Sequence, residues 1–581
     1  MRTYGTATLP DGRNWVLHME PHVALRFKRM FPQVDKKRTG ALVLSASEDN
    51  CRDLEWFLER YPLEFDPDEA RDRLKTQARA FDKRAETAEA ILSGRYEPTT
   101  VKMALAPRSY QQQAADLCHI TCGLLVGDEA GLGKTVTAIT LLARENTKPA
   151  VVVAYPHLTR QWAREIQRFL PGTRVHIAKK GNPSYLWEGR GYGQTDLFED
   201  GWPPDVLIVP YSKLDGWSEV LSKGTFKTAI FDEVQELRRR EGFNPKTGMK
   251  ELTKKYAGAL ALARSTQFIM GLSATPIYNY GAEYFNVLDI IRPGIVGTER
   301  EFLTEWCDGA GDKARVNDPK AFGMYLRERS IFVRRTRGEV GRELPPLTIV
   351  THEFDADPEV LAKVDTRAAE LARVFLDSTK GIDKMESGGE LNNLLRQQTG
   401  LAKAPYVAEF VRMLIEEHRE PVVLYGWHRS VYDLWADYFK DLQPAWYTGH
   451  ESIAAKEREK QRFIEGKTPL MIISLRAGAG IDGLQDVARR VVFGELDWSP
   501  GVHEQNIWRV HRDGQKEPTL AYYMLATDGA DPTIADVLHV KRAQIEYVRD
   551  PTKGFVMPKE IDPDHIKKLA TAYLARRRGA E

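Results

Sequence analysis

Residues 127 to 135, GDEAGLGKT, have the types and spacing of a loop that binds the phosphates of a nucleotide. In such a loop glycines let backbone amides approach phosphate oxygens, a lysine meets the β and γ phosphates, and the next hydroxyl ligates Mg²⁺. Gly131 and Gly133 supply the turn, Lys134 the cation and Thr135 the hydroxyl. Asp128 replaces the expected glycine. Even so, the match favours a nucleotide site over a plain strand, turn and helix.

Two adjacent carboxylates follow an apolar strand in KTAIFDEVQE. A magnesium-holding carboxylate is expected at the end of a buried strand beside the phosphate loop, and Asp232 fits that place. Glu233 would polarise the attacking water, so that the two carboxylates divide two roles. The alternative is that these two residues only end a strand at the surface, which the lysine loop upstream makes the weaker interpretation.

Phosphoryl transfer also needs positive charge on the far side of the γ phosphate, which arginine fingers supply. Arg509 and Arg512 stand at helical spacing in QNIWRVHRDGQ, far along the chain from the phosphate loop. If they reach the nucleotide, it lies in a cleft between two domains, and binding and hydrolysis would close and open that cleft. This arrangement predicts a motor and not a metabolic kinase. Two solvated arginines on a helix are the alternative.

Short aliphatic runs separated by helical stretches must position these groups. The runs are CGLLVG, AVVVAY, DVLIVP, TAIFDE and QFIMGLS, then PVVLYG, PAWYTG, LMIIS, RVVFGE and TLAYYML. Continuous aliphatic strands alternating with helices indicate parallel sheets that are covered on both faces. We therefore predict the α/β fold class, with parallel-sheet domains at 101–345 and 346–550. The join is expected near ELPPLTIVTHEFDAD, residues 343–357, where two prolines interrupt the pattern.

The first hundred residues have a different texture and predict a small α+β accessory domain. NWVLHM alternates like a strand, and NCRDLEWFLERY places Leu54, Phe57, Leu58 and Tyr61 on one helical face. A long helix is expected from an Asp66 N-cap to a stop at Gly94, laid along the next domain. Its predicted packing seam is Leu74, Ala78, Phe81, Ala85, Ala88 and Leu92. Residues 1–100 are candidates for DNA or partner recognition, and 551–581 for a basic C-terminal tail.

Composition narrows the class of protein. The 581 residues are 42% apolar and 28% charged, as in soluble globular domains, and their apolar runs are far shorter than a membrane helix of roughly 18 residues. The net charge of +1 means that any contact with nucleic acid uses local basic patches. We expect an intracellular protein without a secretory signal. Cys118 and Cys122 are better read as core thiols than as zinc ligands, because two further ligands at suitable spacing are missing.

Taken together, these segments resemble helicase superfamily two and, within it, the Swi/Snf-type DNA translocases. The phosphate loop of that branch reads D-E-x-G-x-G-K-T, so Asp128 and Glu129 identify a branch and do not signal a damaged site. PRSYQQQAAD resembles the family's adenine-reading segment, and AYPHLTRQWAREIQRF its P-x-S-L-x-x-Q-W-x-x-E-I segment. The likeness continues in order through about residue 530. RQQTGLAKAPYVAEFV is most similar to the annealing-helicase, fork-remodelling branch.

The resemblance implies two RecA-like domains in tandem and a set of site residues. The catalytic set is Lys134, Asp232, Glu233, Arg509 and Arg512. The ATP-binding set is Arg108, Tyr110, Gln111, Asp128, Gly131, Gly133, Lys134, Thr135 and Gln505, with Mg²⁺ held by Thr135 and Asp232. Expected on or just behind the DNA track are Thr159, Gln161, Trp162, Tyr211, Ser212, Ser474, Arg476 and Trp498. Hydroxyls, amides and a guanidinium suit phosphate oxygens and carry no base code. For Trp162 and Trp498 a place in the core is the better interpretation, because a tryptophan on an amphipathic helix or at a strand end is usually buried.

Three departures from the family pattern bear on coupling between ATP and movement. Gln235 replaces the usual histidine, but an amide can make the same hydrogen bonds. Ser273 and Ala274 stand where the branch has T-G, and Ser273, Thr275 and Gln235 are the expected coupling residues. The glycines of SLRAGAGIDGL are displaced, which leaves roles at 479–484 open.

We therefore expect an ATPase and Mg²⁺-dependent translocase on double-stranded or forked DNA, acting in fork remodelling, repair or DNA surveillance. A strand-separating DNA or RNA helicase is one alternative, although no wedge element is evident in the sequence. A nucleotide-switched adaptor with little turnover is another, and a missing catalytic group would favour it.

Overall fold

The computed structural model of the protein describes residues 2–31, 34, 39–183, 203–244, 249–274, 281–309, 314–342, 344–377, 381–449, 451–476 and 481–538. In this part of the chain the helices are α1 (Pro21–Met30), α2 (Glu48–Arg60), α3 (Glu69–Leu92), α4 (Ser109–Thr121), α5 (Lys134–Leu142), α6 (Thr159–Phe169), α7 (Leu214–Leu221), α8 (Lys254–Ser265), α9 (Ala282–Ile291), α10 (Glu299–Trp306), α11 (Pro319–Glu328), α12 (Pro358–Ala362), α13 (Asp365–Asp377), α14 (Gly381–His418), α15 (Arg429–Tyr438), α16 (Ile453–Ile464) and α17 (Pro500–Ile507).

The strands follow the same chain order. They are β1 (Gly5–Thr8), β2 (Asn14–Met19), β3 (Leu42–Ser45), β4 (Glu64–Asp66), β5 (Gly123–Val126), β6 (Ala150–Ala154), β7 (Val175–Ile177), β8 (Val206–Pro210), β9 (Thr228–Asp232), β10 (Glu241–Asn244), β11 (Met249–Leu252), β12 (Phe268–Leu272), β13 (Phe332–Val333), β14 (Leu347–Phe354), β15 (Val422–Gly426), β16 (Ala445–Tyr447), β17 (Leu470–Ser474), β18 (Arg490–Phe493) and β19 (Thr519–Ala526).

A small α+β domain comes first, as predicted. Its described strands form one sheet in the order β3-β2-β1-β4, in which β2 is antiparallel to both of its neighbours. The alternation in NWVLHM puts Trp15 and Leu17 in a core shared with α1 and α2. On α2, Leu54 and Phe57 are buried and Leu58 packs at the edge of the same core, as does Tyr61 directly after the helix, so the predicted apolar face is confirmed.

Helix α3 joins this domain to the next one. Ala70 and Leu74 belong to the core of the first domain, whereas Ala88 and Ile91 belong to the core of the second. The helix ends before Gly94, whose φ of +73° is left-handed, but it begins at Glu69, two residues later than an Asp66 N-cap implies. Asp66 instead ends strand β4.

The predicted seam of α3 is wrong at two positions. Ala85 and Leu92 are exposed, and Ile91 takes the inward place that was assigned to Leu92. Positions three and four residues beyond Ala88 lie on the same side of a helix, so the apolar pattern alone does not choose between them. Packing against the next domain makes that choice.

The second domain, lobe 1, has a sheet in the order β13-β5-β12-β9-β6-β8-β7, and every described pair of neighbouring strands is parallel. Strands β5, β6, β8 and β12 are buried at every residue, as expected for aliphatic strands that helices cover on both faces. Cys118 is buried in the same core, on α4. The carboxyl ends of β5 and β9 lead to the phosphate loop and the two carboxylates.

The third domain, lobe 2, repeats this architecture. Its described strands form a parallel sheet in the order β14-β19-β18-β15-β17-β16. Lobe 1 ends its sheet at Val333 and lobe 2 begins its own at Leu347, so the change of sheet falls at the start of the predicted join. The α/β class with two tandem parallel-sheet lobes and a small α+β domain is thus confirmed.

Some elements and segments fall outside the predictions. Strands β7, β13 and β14 were not predicted, and the basic segment after the carboxylates contains an antiparallel hairpin of β10 and β11. The basic C-terminal tail at 551–581 lies outside the described residues. Within the described ranges, no helix has the length and apolar character needed to cross a membrane.

Candidate nucleotide site and interlobe cleft

The phosphate loop runs from Gly127, just after β5, to the first residue of α5. Gly131 and Gly133 have φ values of +81° and +76°, a region that only glycine enters without strain, so both predicted glycines are required by the turn. The Nζ atom of Lys134 donates a 2.6 Å hydrogen bond to the carbonyl of Asp128. Burial lowers the pKa of Lys134, and the Glu233 carboxylate opposes that shift. Lys134 therefore lies inside the loop and faces the carboxylates of β9.

Two of the residues that we expect to bind adenine donate hydrogen bonds to the phosphate loop. Tyr110 donates its hydroxyl to the carbonyl of Leu132 at 2.8 Å, and Nε2 of Gln111 donates to the same carbonyl at 3.0 Å. Oε1 of Gln111 accepts from the backbone N–H of Arg108 at 2.9 Å, which caps α4. Tyr110 and Gln111 are therefore tied to the loop and Arg108 to Gln111, while the contact of all three with adenine stays a prediction.

The hydrogen bonds of the Asp128 carboxylate are with Arg335, and its role in ATP binding stays a prediction. Its carboxylate is 1% exposed and accepts hydrogen bonds from the backbone N–H of Arg335 at 3.0 Å and from the guanidinium of Arg335 at 3.3 Å. Burial raises the pKa of Asp128, and Arg335 opposes the shift. The residue that departs from an ordinary phosphate loop thus binds the segment after β13. Sequence reasoning missed Arg335, although its segment, VRRTRGEV, lies within the range over which the sequence resembles the family.

Asp232 ends β9 and is held from two sides. The indole N–H of Trp162 donates to Oδ2 of Asp232 at 2.8 Å, and the hydroxyl of Tyr211 donates to its backbone carbonyl at 2.9 Å. Burial, and next the neighbouring Glu233 carboxylate, raise the pKa of Asp232 to about 7, while the hydrogen bond from Trp162 lowers it. Trp162 and Tyr211 were expected on or just behind the DNA track, and both are buried against the carboxylate segment.

Glu233 has a left-handed backbone, with φ +52° and ψ +55°. A residue with a Cβ atom occupies this region at a cost on the order of 1 kcal/mol or more, and such positions cluster at functional sites. Nε2 of Gln235 donates to Oε2 of Glu233 at 2.6 Å. The turn therefore directs the Glu233 side chain differently from that of Asp232, and the expected coupling residue Gln235 orients it.

The donor set suits Mg²⁺. A threonine hydroxyl at the start of α5 and a carboxylate at the end of β9 are hard oxygen ligands, and Mg²⁺ is usually held by one or two such groups together with water and substrate phosphates. Trp162 engages one of the two carboxylate oxygens of Asp232. Thr135 and Asp232 are therefore the residues that would hold the ion.

Lobe 2 brings its arginines to the same cleft. Arg509 and Arg512 lie in turns after α17, which ends at Ile507, so the predicted helical placement is wrong. Burial lowers the pKa of Arg509, and the Glu233 carboxylate of lobe 1 is the largest opposing influence. Arg512 pairs with Asp482 at 3.3 Å. Gln505 is half-buried on α17. The cleft thus brings cations of lobe 2 towards the carboxylates of lobe 1.

The other residues that we expect at the DNA track differ in how much of their side chains is exposed to solvent. Ser212 is exposed and Gln161 half-buried, whereas the Thr159 hydroxyl donates to the carbonyl of Pro156 at 2.9 Å within the buried start of α6. In lobe 2 the side chain of Arg476 is more than half exposed and pairs with Asp497 at 2.8 Å.

The remaining predicted residues lie deeper. Ser474 and Trp498 are buried in lobe 2, and the indole of Trp498 donates to Oδ1 of Asn392 on α14 at 2.8 Å. Ser273 is buried directly after β12. Thr275 lies outside the described residues. Gln161, Ser212 and Arg476 are exposed enough to contact DNA directly. The buried residues of the predicted set lie beneath that surface.

Comparisons with known proteins agree on one family. A sequence profile described as the SNF2-related domain matches residues 15–360. The chain is 28% identical over 434 residues to the SWI/SNF-related matrix-associated actin-dependent regulator of chromatin subfamily A-like protein 1 of Xenopus tropicalis, covering 72% of this chain and 42% of that protein. It is 24% identical over 491 residues to the DNA repair and recombination protein RAD54-like of Gallus gallus, covering 74% and 64%.

Two further similarities are to proteins of microorganisms. An uncharacterized ATP-dependent helicase of Mycoplasma pneumoniae is 24% identical over 459 residues, covering 74% of this chain and 41% of that protein. The solved Sulfolobus solfataricus SWI2/SNF2 ATPase core in complex with dsDNA is 19% identical, with a TM-score of 0.34, covering 79% of this chain and 95% of that one. The chain spans about two-fifths of the length of the first curated relatives that it matches.

Proposed function

Because the chain belongs to the family of proteins with an SNF2-related domain, we propose that it is an ATP-dependent translocase on double-stranded DNA that acts inside the cell. Fork remodelling, repair or DNA surveillance is its proposed setting. The names of the relatives support ATP dependence and work on DNA. The α14 segment RQQTGLAKAPYVAEFV, which resembles the fork-remodelling branch, favours that setting.

The observation that carries this proposal is that the Glu233 carboxylate of lobe 1 opposes the lowering of the pKa of Arg509 in lobe 2 by burial. Their charges influence each other across the cleft, so the groups needed for hydrolysis come from both lobes. A site divided in this way is complete only when the two lobes close on ATP. Hydrolysis of that ATP then lets the lobes open again. That property suits a motor better than it suits a metabolic kinase.

Each group has a defined part in this proposal. Lys134 would meet the β and γ phosphates, and Thr135 and Asp232 would hold Mg²⁺, which neutralises charge on the phosphates when it is bound. Glu233 would orient the attacking water, while Arg509 and Arg512 would stabilise the charge that develops on the transferred phosphoryl group. The adaptor alternative loses support, because a missing catalytic group would favour it and the chain contains every one of these groups.

A strand-separating helicase is the second candidate, and the β10-β11 hairpin favours it. The hairpin begins eight residues after Glu233, and Met249 on β11 is 68% exposed. Apolar side chains that enter a base step are a known means of unstacking nucleic acid. No wedge element was evident in the sequence, so the hairpin is a feature that only the structure supplies.

The proposed function is tested by the rate of ATP hydrolysis of the pure protein. The rate is measured without nucleic acid and then with single-stranded DNA, duplex DNA, forked DNA and RNA, with Glu233→Gln as the blank. Strong stimulation by duplex or forked DNA is expected. Stimulation only by single strands or RNA, together with strand displacement, would replace the translocase by the helicase. A flat low rate throughout would contradict both.

A further inference from the structure

The segment that joins the two lobes does more than connect them. This linker is defined here as residues 334–346, of which 343 lies outside the described residues. The pairing of β5 with β13 continues beyond the strands, since Gly127 N donates to the carbonyl of Val333 at 2.7 Å and Glu129 N to that of Arg335 at 3.0 Å. The start of the linker therefore runs alongside the phosphate loop, joined to it by backbone hydrogen bonds.

The two acidic residues of the loop hold the linker in place. Oδ1 of Asp128 accepts from the backbone N–H of Arg335 at 3.0 Å, and Oε2 of Glu129 accepts from that of Arg337 at 2.8 Å. The ion pair of Asp128 with Arg335 is nearly closed to solvent, at 1% and 14% exposure. Removing one partner of such a pair leaves an uncompensated buried charge, so this contact is costly to break and anchors the linker on the loop.

The side chain of Arg337 then spans the two lobes. Its Nη2 donates to the carbonyl of Ala130 in the phosphate loop at 2.5 Å, and its Nη1 donates to Oδ1 of Asp513 in lobe 2 at 2.8 Å. Arg342 takes the other oxygen of Asp513 at 2.7 Å. A Cβ atom on Gly131 would lie 2.0 Å from Nη2 of Arg337, so this glycine is needed for the close approach as well as for its φ.

Asp513 directly follows Arg512, and the residue before Arg512 also touches the linker. Nε2 of His511 donates to the carbonyl of Pro345 at 2.9 Å. Arg512 is thus flanked on both sides by residues bound to the linker. The segment that contains Arg512 is therefore held by the linker, and the linker is itself bound to the phosphate loop.

We propose that Arg337 is a positioning residue which, through its ion pair with Asp513, sets the place of Arg512 relative to the phosphate loop. The exposure of the pair fits this role. Arg337 is 7% exposed but Asp513 is 37% exposed, so water can replace the contact when the lobes move apart. The linker stays bound to Asp128, while the ion pair between Arg337 and Asp513 can break and form again. When the phosphate loop moves on binding the nucleotide, the linker would then move Arg512 with it.

The first test does not depend on ATP turnover. Hydrogen exchange of the whole protein is compared between the wild type and Asp513→Asn, with Glu517→Gln as the matched control, since Glu517 is an exposed carboxylate nearby that pairs with Arg489 at 3.3 Å. We expect Asp513→Asn to raise exchange several-fold in 334–342 and in 127–133, across the cleft from the substitution, and the control to leave both unchanged. A change confined to 509–516 would overturn the proposal.

The second test is kinetic and rests on the proposed function. Arg337→Gln and Asp513→Asn should each lower the DNA-stimulated kcat about tenfold and change the KM for ATP less than about threefold, with partial rescue by Arg337→Lys. In an Arg512→Ala background, Asp513→Asn should cause no further loss, because the contact acts through Arg512. A further tenfold loss in that background, or an effect on KM alone, would overturn the role. A wild type without ATPase activity would contradict the proposed function, whereas the exchange result would still decide the contact.

Discussion

The indole N–H of Trp162 donates a 2.8 Å hydrogen bond to Oδ2 of Asp232. Trp162 lies on α6, whose first turn carries the predicted DNA-facing residues Thr159 and Gln161, and Asp232 is the predicted magnesium carboxylate. Tyr211, next to the exposed Ser212, binds the backbone carbonyl of the same aspartate. Two segments of lobe 1 that we expect to face DNA are therefore in direct contact with the proposed magnesium carboxylate.

Replacing Trp162 by phenylalanine should slow ATP hydrolysis, because Asp232 would then hold Mg²⁺ less well. The ring still fills the core, but Asp232 loses a donor that orients its carboxylate, and partners that orient metal ligands typically matter about tenfold or more in affinity or activity. We expect a lower DNA-stimulated kcat and a higher Mg²⁺ concentration for half-maximal rate. Trp217→Phe is the matched control, since that buried indole donates to the carbonyl of Lys180 instead. Equal behaviour of the two variants would refute the assignment.

Glu233→Gln should retain ATP and hydrolyse almost none of it. The amide keeps the size of the side chain and leaves the left-handed backbone unchanged, but it cannot polarise water as a carboxylate does. We expect kcat to fall about a thousandfold or more while the affinity for a fluorescent ATP analogue changes little. Turnover at the wild-type level would remove Glu233 from the catalytic set.

Arg512→Ala should lower turnover far more than nucleotide affinity. A finger acts on charge that develops in the transition state, and its loss is expected to lower kcat by about a thousandfold. The measurement is the separation of kcat from the KM for ATP in the presence of duplex DNA. Arg489→Ala, which breaks ion pairs elsewhere in lobe 2, should leave both values near those of the wild type. A rise in KM alone would make Arg512 a binding group.

Substitution of Asp128 should weaken nucleotide binding in a graded way. Asparagine keeps an oxygen for the backbone N–H of Arg335 but removes the charge, whereas alanine removes both. A hydrogen bond to a charged group contributes about 1.5–3 kcal/mol, so we expect affinity for an ATP analogue to fall about tenfold in Asp128→Asn and further in Asp128→Ala. Fluorescence titration in the Glu233→Gln background measures both. Equal affinities would mean that the anchor does not shape the loop.

Local sequence patterns determined most of the secondary structure. Each aliphatic run that was read as a strand is one, because a segment buried on both faces of a parallel sheet must be apolar throughout and that requirement is visible in a few consecutive residues. The glycines at 131 and 133 are likewise local, since the loop needs their backbone angles. The order of the motifs was enough to identify the family and the two-lobed architecture.

Tertiary structure decided the contacts between distant segments. Nothing near Asp128 in the chain predicts Arg335, which comes 207 positions later, and nothing near Trp162 predicts its bond to Asp232. The short β13 strand is formed by pairing with β5 and carries no pattern of its own. The same holds for the choice of Ile91 over Leu92 on α3. Hydrogen bonds and ion pairs of this kind depend on which surfaces the fold brings together, because a polar residue is compatible with many partners until packing selects one.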